Sequence, residues 1–571
     1  MTVMKNELLD FIGPDGFPDE GFIQQLANQF FASGAVPQGA TQGIPPAVAG
    51  SGISPSAINQ GNSVDLKDPQ TSLPDPHFAG SGIVPSSVAG SGRSPSAGGQ
   101  TSTGQGFTGK PSAGKPWTGQ TSAEQALTGQ PWAGVMKDPV KFAQGPEFYF
   151  IKEGMGAQTA LSSAPYDVNQ VRRDFPILRE YVNGRPLIWL DNAATTQKPQ
   201  LVIDRISYFY AHENSNIHRA AHELAARATD AYEAARGKVR QFLNAASSNE
   251  IVFVRGATEA INLVAKSWGD QFLQSGDEII VSHLEHHANI VPWQQLASAK
   301  GLKLKVIPVH DDGQVILDEY ARLLGPKTKL VSFTQVSNAL GTITPAQKMV
   351  EMAHAAGVRA LVDGAQAVSH MPVDVRALDA DWYVFSGHKV FGPTGIGVLY
   401  GKEDLLNETA PWQGGGNMIK DVTFEHTSYQ QAPGRFEAGT GNIADAVGLG
   451  AAIDYVSAIG MDLISQYEHY LLQYATHLLN DVPGLRLIGT APDKAGVLSF
   501  VLDGYTTEEV GIALNQSGIA VRSGHHCAQP ILRRFGVESS VRPSLALYNT
   551  CGDIDALISV LHRLRTARPR I

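Results

Sequence analysis

Apolar side chains are spread unevenly along these 571 residues, and the unevenness predicts the architecture. From about Tyr166 to Ile571 they gather into short β-branched runs. Glu250–Val254 (EIVFV), Glu278–Ser282 (EIIVS), Lys329–Phe333 (KLVSF) and Ala360–Asp363 (ALVD) are each followed by a stretch with helical spacing. That alternation predicts an α/β fold, a mostly parallel sheet covered by helices on both faces. Beyond Tyr455 the pattern turns to long amphipathic helices and then shorter strands such as Gly496–Val501, which predicts a separate α+β lobe.

Upstream the pattern thins out. From Thr41 to Gln130 about seven residues in ten are Gly, Ser, Pro, Ala, Thr or Gln. So few apolar groups cannot offset the ordering cost of roughly 1–2 kcal/mol per residue, so the stretch is expected to be disordered. It also repeats itself: Ala-Gly-Ser-Gly-x-x-Pro-Ser begins at Ala49, Ala79 and Ala89, and Thr-Gly-Gln at Thr103, Thr118 and Thr128. These units are too short for a solenoid and read as sticky points on a tether. Two places differ. Pro18 to Ala32 (PDEGFIQQLANQFFA) sets Phe22, Leu26 and Phe30 one helical turn apart, with Asp19 as N-cap and Gly34 as stop. Phe142 and Phe148-Tyr149-Phe150-Ile151 form an aromatic patch. Either is transient local structure or a docking motif of the helix-in-groove kind. Gly104 to Lys110 (GQGFTGK) outlines a Walker A loop, but Pro111 stands where Ser or Thr must bind magnesium, and no strand precedes it.

Composition narrows the class. The chain is 17% charged against ~25% for a typical globular protein, with a net charge of -10, so nucleic-acid or anionic-membrane binding through a basic surface is not expected. Two cysteines exclude a disulfide scaffold and fit a reducing compartment. No run of about 18 apolar residues predicts a membrane span, and MTVMKNELLDFIGPDG lacks the apolar core of a secretory signal. The expectation is a cytoplasmic protein.

The candidate chemistry lies at strand ends. Asp363 closes a strand in ALVDGAQAVSH, and Lys389 follows another in WYVFSGHKVFGPTG. A strand-end aspartate is usually a cap and an average lysine lies on the surface. Together, and with Ser386-Gly387-His388 ahead of the lysine, they suit pyridoxal phosphate (PLP). The lysine would form the Schiff base, and the carboxylate would keep the pyridine nitrogen protonated. Arg255-Gly256-Ala257-Thr258-Glu259-Ala260 follows EIVFV and opens a helix, whose N–H groups and dipole favour a phosphate, with Thr258 as a further donor. His286, just past a strand in VSHLEHHANIVPW, can stack on the pyridine ring. The cluster His283, Glu285, His286 and His287 lacks HExxH spacing and a completing ligand, so no metal is expected. In VRSGHHCAQP, Cys527 sits in a composition expected of an exposed loop, where Arg522 and a protonated His525 or His526 would favour the thiolate. Cys551, ahead of an amphipathic helix, reads as structural. Arg542 in VRPSLALYNT is a candidate for gripping a substrate carboxylate.

From VRRDFPILREYVNGRPLIWLDNAATTQKP to the C-terminus the chain resembles a cysteine desulfurase of the sulfur-mobilisation (Suf) type. The resemblance runs through NIHRAAHELAARAT, RGATEAINLVA, LEHHANIVPWQ, VDGAQA, VFSGHK, RFEAGTGN and RSGHHCAQP, in one order over roughly 400 residues. It implies a homodimeric fold-type-I PLP-dependent transferase, with a large mostly parallel-sheet domain and a smaller α+β domain. The implied division is a disordered targeting extension over 1–165, an N-terminal segment of the small domain over 166–185, the large domain over 186–415 and the small domain over 416–571. By position, Lys389 carries PLP and moves the substrate α-proton, Asp363 pairs with the pyridine nitrogen, Gln366 bonds the phenolic oxygen and His286 stacks on the ring. Thr258, Ser386 and His388 hold the phosphate, with Thr440 reaching in from the other subunit. Asn338, Arg542 and Arg522 hold the carboxylate of L-cysteine, and Cys527 takes the sulfur as a persulfide and releases alanine. Ala257 departs from the pattern, since many relatives carry a second Thr there, which implies one phosphate contact fewer.

The Gly/Pro/Ser-rich extension resembles that of desulfurases packaged inside family 2 encapsulin nanocompartments, which implies a shell partner and sulfur sequestration or storage. Multivalent weak sites on a tether suit such packaging. The alternatives are a non-packaged Suf-type desulfurase or selenocysteine lyase feeding an acceptor for iron–sulfur assembly, with the tail as an interaction scaffold, or another PLP reaction such as kynurenine hydrolysis. A hydrolase has no need of a persulfide-forming thiol, so Cys527 weighs against the last.

Overall fold

A computed structural model describes residues 166–218 and 222–567. The expected targeting extension over 1–165, with its repeats, the 18–32 helix and the aromatic patch, lies outside the described residues.

In chain order the elements that matter are α1 (Gln200–His212), α2 (Glu223–Phe242), β1 (Ile251–Val254), α3 (Ala257–Val264), β2 (Glu278–Ser282), α4 (Val291–Lys300), β3 (Lys303–Ile307), β4 (Thr328–Thr334), α5 (Ala346–Ala355), β5 (Arg359–Asp363), β6 (Trp382–Ser386) and β7 (Gly397–Gly401). The strands form one seven-stranded sheet in the order β1-β7-β6-β5-β4-β2-β3. Only β7 runs against its neighbours, antiparallel to both β1 and β6. The other pairs are parallel, as the buried β-branched runs predict.

Strand alternation sorts the core into two layers. Ile251, Phe253, Val331, Phe333, Ala360, Val362, Tyr383 and Phe385 point to one face, against α2 and α5. Val252, Val254, Ile279, Val281, Leu330, Leu361, Trp382 and Val384 point to the other, against α3 and α4. Period-2 geometry requires this once both faces are covered. Trp382 is 1% exposed, and cutting it to alanine would cost about 3–5 kcal/mol.

The chain continues into α6 (Ile443–Ile459), α7 (Met461–Asn480), β8 (Leu485–Ile488), β9 (Ser499–Leu502), α8 (Thr507–Gln516), β10 (Arg522–Gly524), β11 (Ser540–Arg542) and α9 (Cys551–Ala567). Helix α6 is apolar nearly all round because it is buried nearly all round. It lies close to α1 and α2 through small residues: a Cβ at Gly450 would stand 3.0 Å from the Ala235 side chain. Among the described residues no single helix is long and apolar enough to cross a membrane. Strands β8, β9, β11 and β10 make a four-stranded antiparallel sheet. It packs through Phe500, Leu502 and Val541 onto Leu471, Leu479, Leu514, Ile554 and Leu557, the α+β pattern expected beyond Tyr455. Ile188–Trp189 pairs in parallel with Ile519–Ala520, and Asp191 bridges to Ser544. Strand pairing with the smaller lobe thus runs past residue 185.

Candidate active site

Strands β1, β2, β4, β5 and β6 point the same way, so the segments that follow them share one sheet edge, where α/β sheets bind ligands. Each strand end delivers a side chain: Thr258 after β1, His286 after β2, Asn338 after β4, Asp363 and Gln366 at β5, and Ser386, His388 and Lys389 at β6. All of them line one cavity of about 170 Å³, together with Arg522, His526, Cys527 and Arg542 from the smaller lobe. The sequence-predicted residues converge there except Thr440. That residue borders a different cavity, beside Arg255, Trp412 and Glu437.

The cavity floor is cationic and desolvated. Burial lowers the Lys389 pKa to about 8, while Asp363 acts in the opposite direction. Among the described residues Lys389 makes no side-chain hydrogen bond, so its amine is unengaged. Asp363 is 4% exposed. Burial raises its pKa, against the Ala365 N–H that donates to Oδ1 at 2.9 Å and the charge of Lys389. Behind it, burial raises the Glu285 pKa to about 8, and its carboxyl accepts from the Thr334 N–H at 3.1 Å and from Asn289 at 2.6 Å.

One end of the cavity is built for an anion. Gly256 caps α3 at φ 158°, and a Cβ there would press on Ser386 Oγ at 3.1 Å. The close approach lets the Ala257 N–H donate to Ser386 Oγ at 2.9 Å, which leaves the serine proton free to donate outward. The first-turn N–H groups of a helix have no intrahelical acceptor, and the dipole favours negative charge. Burial holds His388 neutral, with a pKa of about 4, so it offers an imidazole N–H and not a full charge.

His286 is also neutral: burial, then Lys389, lowers its pKa to about 3. Its Nδ1 accepts from the Ala288 N–H at 3.0 Å, which puts the proton on Nε2. Gln366 Nε2 donates to the Ala193 carbonyl at 2.7 Å, and its second amide hydrogen remains for a ligand.

The other end belongs to the smaller lobe. Arg522 and Arg542 stand opposite each other on β10 and β11. Asp191 separates them, 3.1 Å from Arg522 Nη2 and 3.2 Å from Arg542 Nη2. Arg542 is 2% exposed and also donates to the Asn338 carbonyl at 2.9 Å. Its Nε and the Asn338 Oδ1 are buried without a partner, and burial pulls the Arg542 pKa down to about 10. An incoming anion would accept from the Arg542 Nε, whereas the Asn338 Oδ1 calls for a donor.

Cys527 departs from expectation in two ways. It is half-buried in a tight turn, not on an exposed loop. His526 is not a cation either: burial lowers its pKa to about 3, and its Nε2 is tied to Ser540 Oγ at 2.8 Å. Local composition cannot show that this histidine points inward. The positive charge facing the thiol comes from Lys389 and Arg542, whose proton affinities a Cys527 thiolate raises. His526 and Cys527 both adopt left-handed backbone, at φ 53° and 52°, a strain of roughly 1–2 kcal/mol per residue that the surroundings must offset. Cys551 begins α9 outside the cavity, its Sγ 3.7 Å from the Tyr470 hydroxyl, and burial pushes its pKa up.

The residues present fit pyridoxal phosphate. An unengaged amine, a buried carboxyl, a flat neutral ring and a helix start beside two hydroxyls (Thr258 and Ser386) match its aldehyde, ring nitrogen, ring face and phosphate.

The family description Aminotransferase class-V matches residues 188–557. A cysteine desulfurase of Synechococcus elongatus is 69% identical over 411 residues, 72% of this chain and 66% of that one. The chain therefore spans just under two thirds of that relative's length. A cysteine desulfurase of Dickeya dadantii is 53% identical over 400 residues, 70% of this chain and 97% of the other. The crystal structure of the Escherichia coli cysteine desulfurase CsdA superposes with a TM-score of 0.66 at 40% identity, covering 71% of this chain and 99% of that one.

Proposed function

We propose a function from one premise: the chain belongs to the class-V aminotransferase family and, within it, to the cysteine desulfurases. The activity is PLP-dependent conversion of L-cysteine to L-alanine, with the sulfur left as a persulfide on Cys527. The observation that carries it is the meeting of Lys389 and Cys527, from different sheets, at one cationic cavity.

When bound, the cofactor supplies an electron-poor ring that takes up the negative charge left at the substrate Cα. The protein does the rest. Lys389, its proton affinity lowered by burial, anchors the cofactor and moves the Cα proton. Asp363 holds a proton at the pyridine nitrogen, Gln366 bonds the phenolic oxygen, and His286 covers the ring. Thr258, Ser386 and His388 hold the phosphate, and Thr440 of a second copy completes the cradle in a homodimer. Arg542 and Asn338 take the substrate carboxylate, with Arg522 at the rim. The Cys527 thiolate then attacks the substrate sulfur: an S–S bond forms, the substrate C–S bond breaks, and the carbon is protonated to alanine. Only a sulfur atom has moved, from cysteine to the enzyme thiol. An alanine-release assay with L-cysteine tests the reading on wild type and Cys527→Ser. Release from wild type alone is the expected outcome, and equal release from both overturns it.

The finer reading is a Suf-type enzyme packaged in the cytoplasm inside an encapsulin shell, as a sulfur store. Its support is the low-complexity, repeating sequence over 41–130 and the aromatic and amphipathic motifs beside it. Deleting residues 1–163 should leave alanine release intact and abolish co-purification with the shell protein. A truncated chain that still co-purifies removes the targeting role.

A further inference from the structure

His287 has no part in the chemistry above, yet it grips the nucleophile's turn at three points. Its backbone N–H donates to the Cys527 carbonyl at 2.8 Å. Its ring Nε2 accepts from the Gln529 N–H at 3.4 Å. Its ring stacks on that of His525, with centroids 5.8 Å apart and planes at 28°. His525 closes the loop, since its Nδ1 accepts from the Cys527 N–H at 3.1 Å. His287 follows β2 of the large sheet, whereas residues 525–529 belong to the smaller lobe, so the contact joins the lobes at the thiol. Asn338 adds a parallel tie, donating to the His526 carbonyl at 2.7 Å. Two consecutive left-handed residues, His526 and Cys527, need such holding.

We propose that His287 is a positioning residue: its ring clasps the Cys527 turn against the large sheet and fixes the thiol over the cavity. The inference rests on the desulfurase reading. Accepting from Gln529 requires an unprotonated Nε2, and burial, with His525 beside it, lowers the ring's pKa in the same direction. Loss of the ring would loosen the turn, leaving only the His287 backbone bond and the Asn338 tie, without touching the cofactor pocket. It would therefore slow sulfur transfer while leaving the binding of cysteine and cofactor unchanged.

The test uses holoenzyme of the full chain in a Cys551→Ser background, with His287→Ala, His287→Gln and His287→Asn. Glutamine places an acceptor where Nε2 stood; asparagine falls short. For His287→Ala and His287→Asn, kcat for alanine release falls about tenfold with KM and cofactor absorbance unchanged, and iodoacetamide alkylates Cys527 several-fold faster. His287→Gln restores both toward wild type. Unchanged kcat and alkylation in the alanine variant overturn the proposal, and so does a loss carried by KM or by cofactor release. If the alanine variant does not fold, the Gln–Asn contrast carries the test, and equal behaviour of the two overturns it. Alkylation is read without turnover, so a wild type that releases no alanine defeats the desulfurase reading while the clasp is still judged on alkylation.

Discussion

Two arginines flank Asp191 at nearly equal distance, and the proposed function asks which of them carries the substrate carboxylate. Burial answers for Arg542. Its side chain is 2% exposed, that of Arg522 is 48% exposed, and only Arg542 leaves a buried donor, Nε, without a partner. The perturbation is lysine at each position in turn, which keeps the charge and removes the fork. A lysine at 542 cannot serve Asp191, the Asn338 carbonyl and a carboxylate together, so at least one charge-assisted hydrogen bond is lost. Such a bond in a desolvated site is worth about 1.5–3 kcal/mol, or about 10- to 150-fold at 1.4 kcal/mol per decade. At 522 solvent screens the pair, and an exposed ion pair is worth roughly 0–1 kcal/mol, under about fivefold.

The assay is alanine release against cysteine concentration, read as kcat/KM, with bound-cofactor absorbance and thermal midpoint as controls on folding. Arg542→Lys should lose at least about tenfold in kcat/KM with the cofactor retained, and Arg522→Lys less than about fivefold. The reverse ranking, or equal losses, would refute the assignment from burial and place the carboxylate at the rim.

Cys527→Ser should keep the cofactor spectrum and lose alanine production, while Cys551→Ser, outside the cavity beside Tyr470, should stay within about twofold of wild type in the same assay. Lys389→Ala should remove covalent attachment, so that borohydride reduction followed by peptide mass analysis finds no cofactor-modified peptide spanning 389; a modified peptide would sink the assignment. His526 supplies a pH test. Its folded pKa is depressed from 6.5 to about 3, so its contribution is present above pH 6.5 and is lost as pH falls, when the unfolded chain binds a proton that the folded one refuses. At about 1.4 kcal/mol per unit this amounts to roughly 2 kcal/mol between pH 6.5 and 5. His526→Gln should therefore show a shallower acid decline in denaturant midpoint, and parallel declines would contradict the burial argument.

The strands were legible because their signal is local. EIIVS is a run of buried β-branched residues in the sequence and a strand buried along its whole length in the fold. Strand-end chemistry was legible for the same reason: a parallel sheet carries Asp363 and Lys389 to one edge whatever its order. Nothing in the sequence singles out Asp191, because its partners lie 331 and 351 residues away on an antiparallel pair that no periodicity announces. Composition leaves open which of His525 and His526 is a cation, since Gly, Ser and Pro around a residue report a turn and not which way its ring faces; burial rules out His526. In the sequence His287 reads as part of an incomplete metal cluster; only the packing of two lobes brings it to the Cys527 turn.

The charge balance of the cavity bears on how the site works. Within the cavity Lys389, Arg522 and Arg542 outnumber the acids facing them, Asp191 and Asp363, and the histidines add nothing because burial keeps them neutral. Burial is the main reason that Lys389 and Arg542 have low proton affinities; the neighbouring cations add to it, and Asp363 and Asp191 oppose it. A phosphate at the α3 start and a carboxylate at Arg542 would supply the missing charge from outside the chain. The carboxylate would favour the charged Arg542 that grips it, while the phosphate would lie at the opposite end, beside the neutral His388, and leave the lowered proton affinity of Lys389 in place for the proposed proton transfer. On this view the incompletely balanced cluster is what draws anionic ligands together within reach of a thiol held by the other lobe.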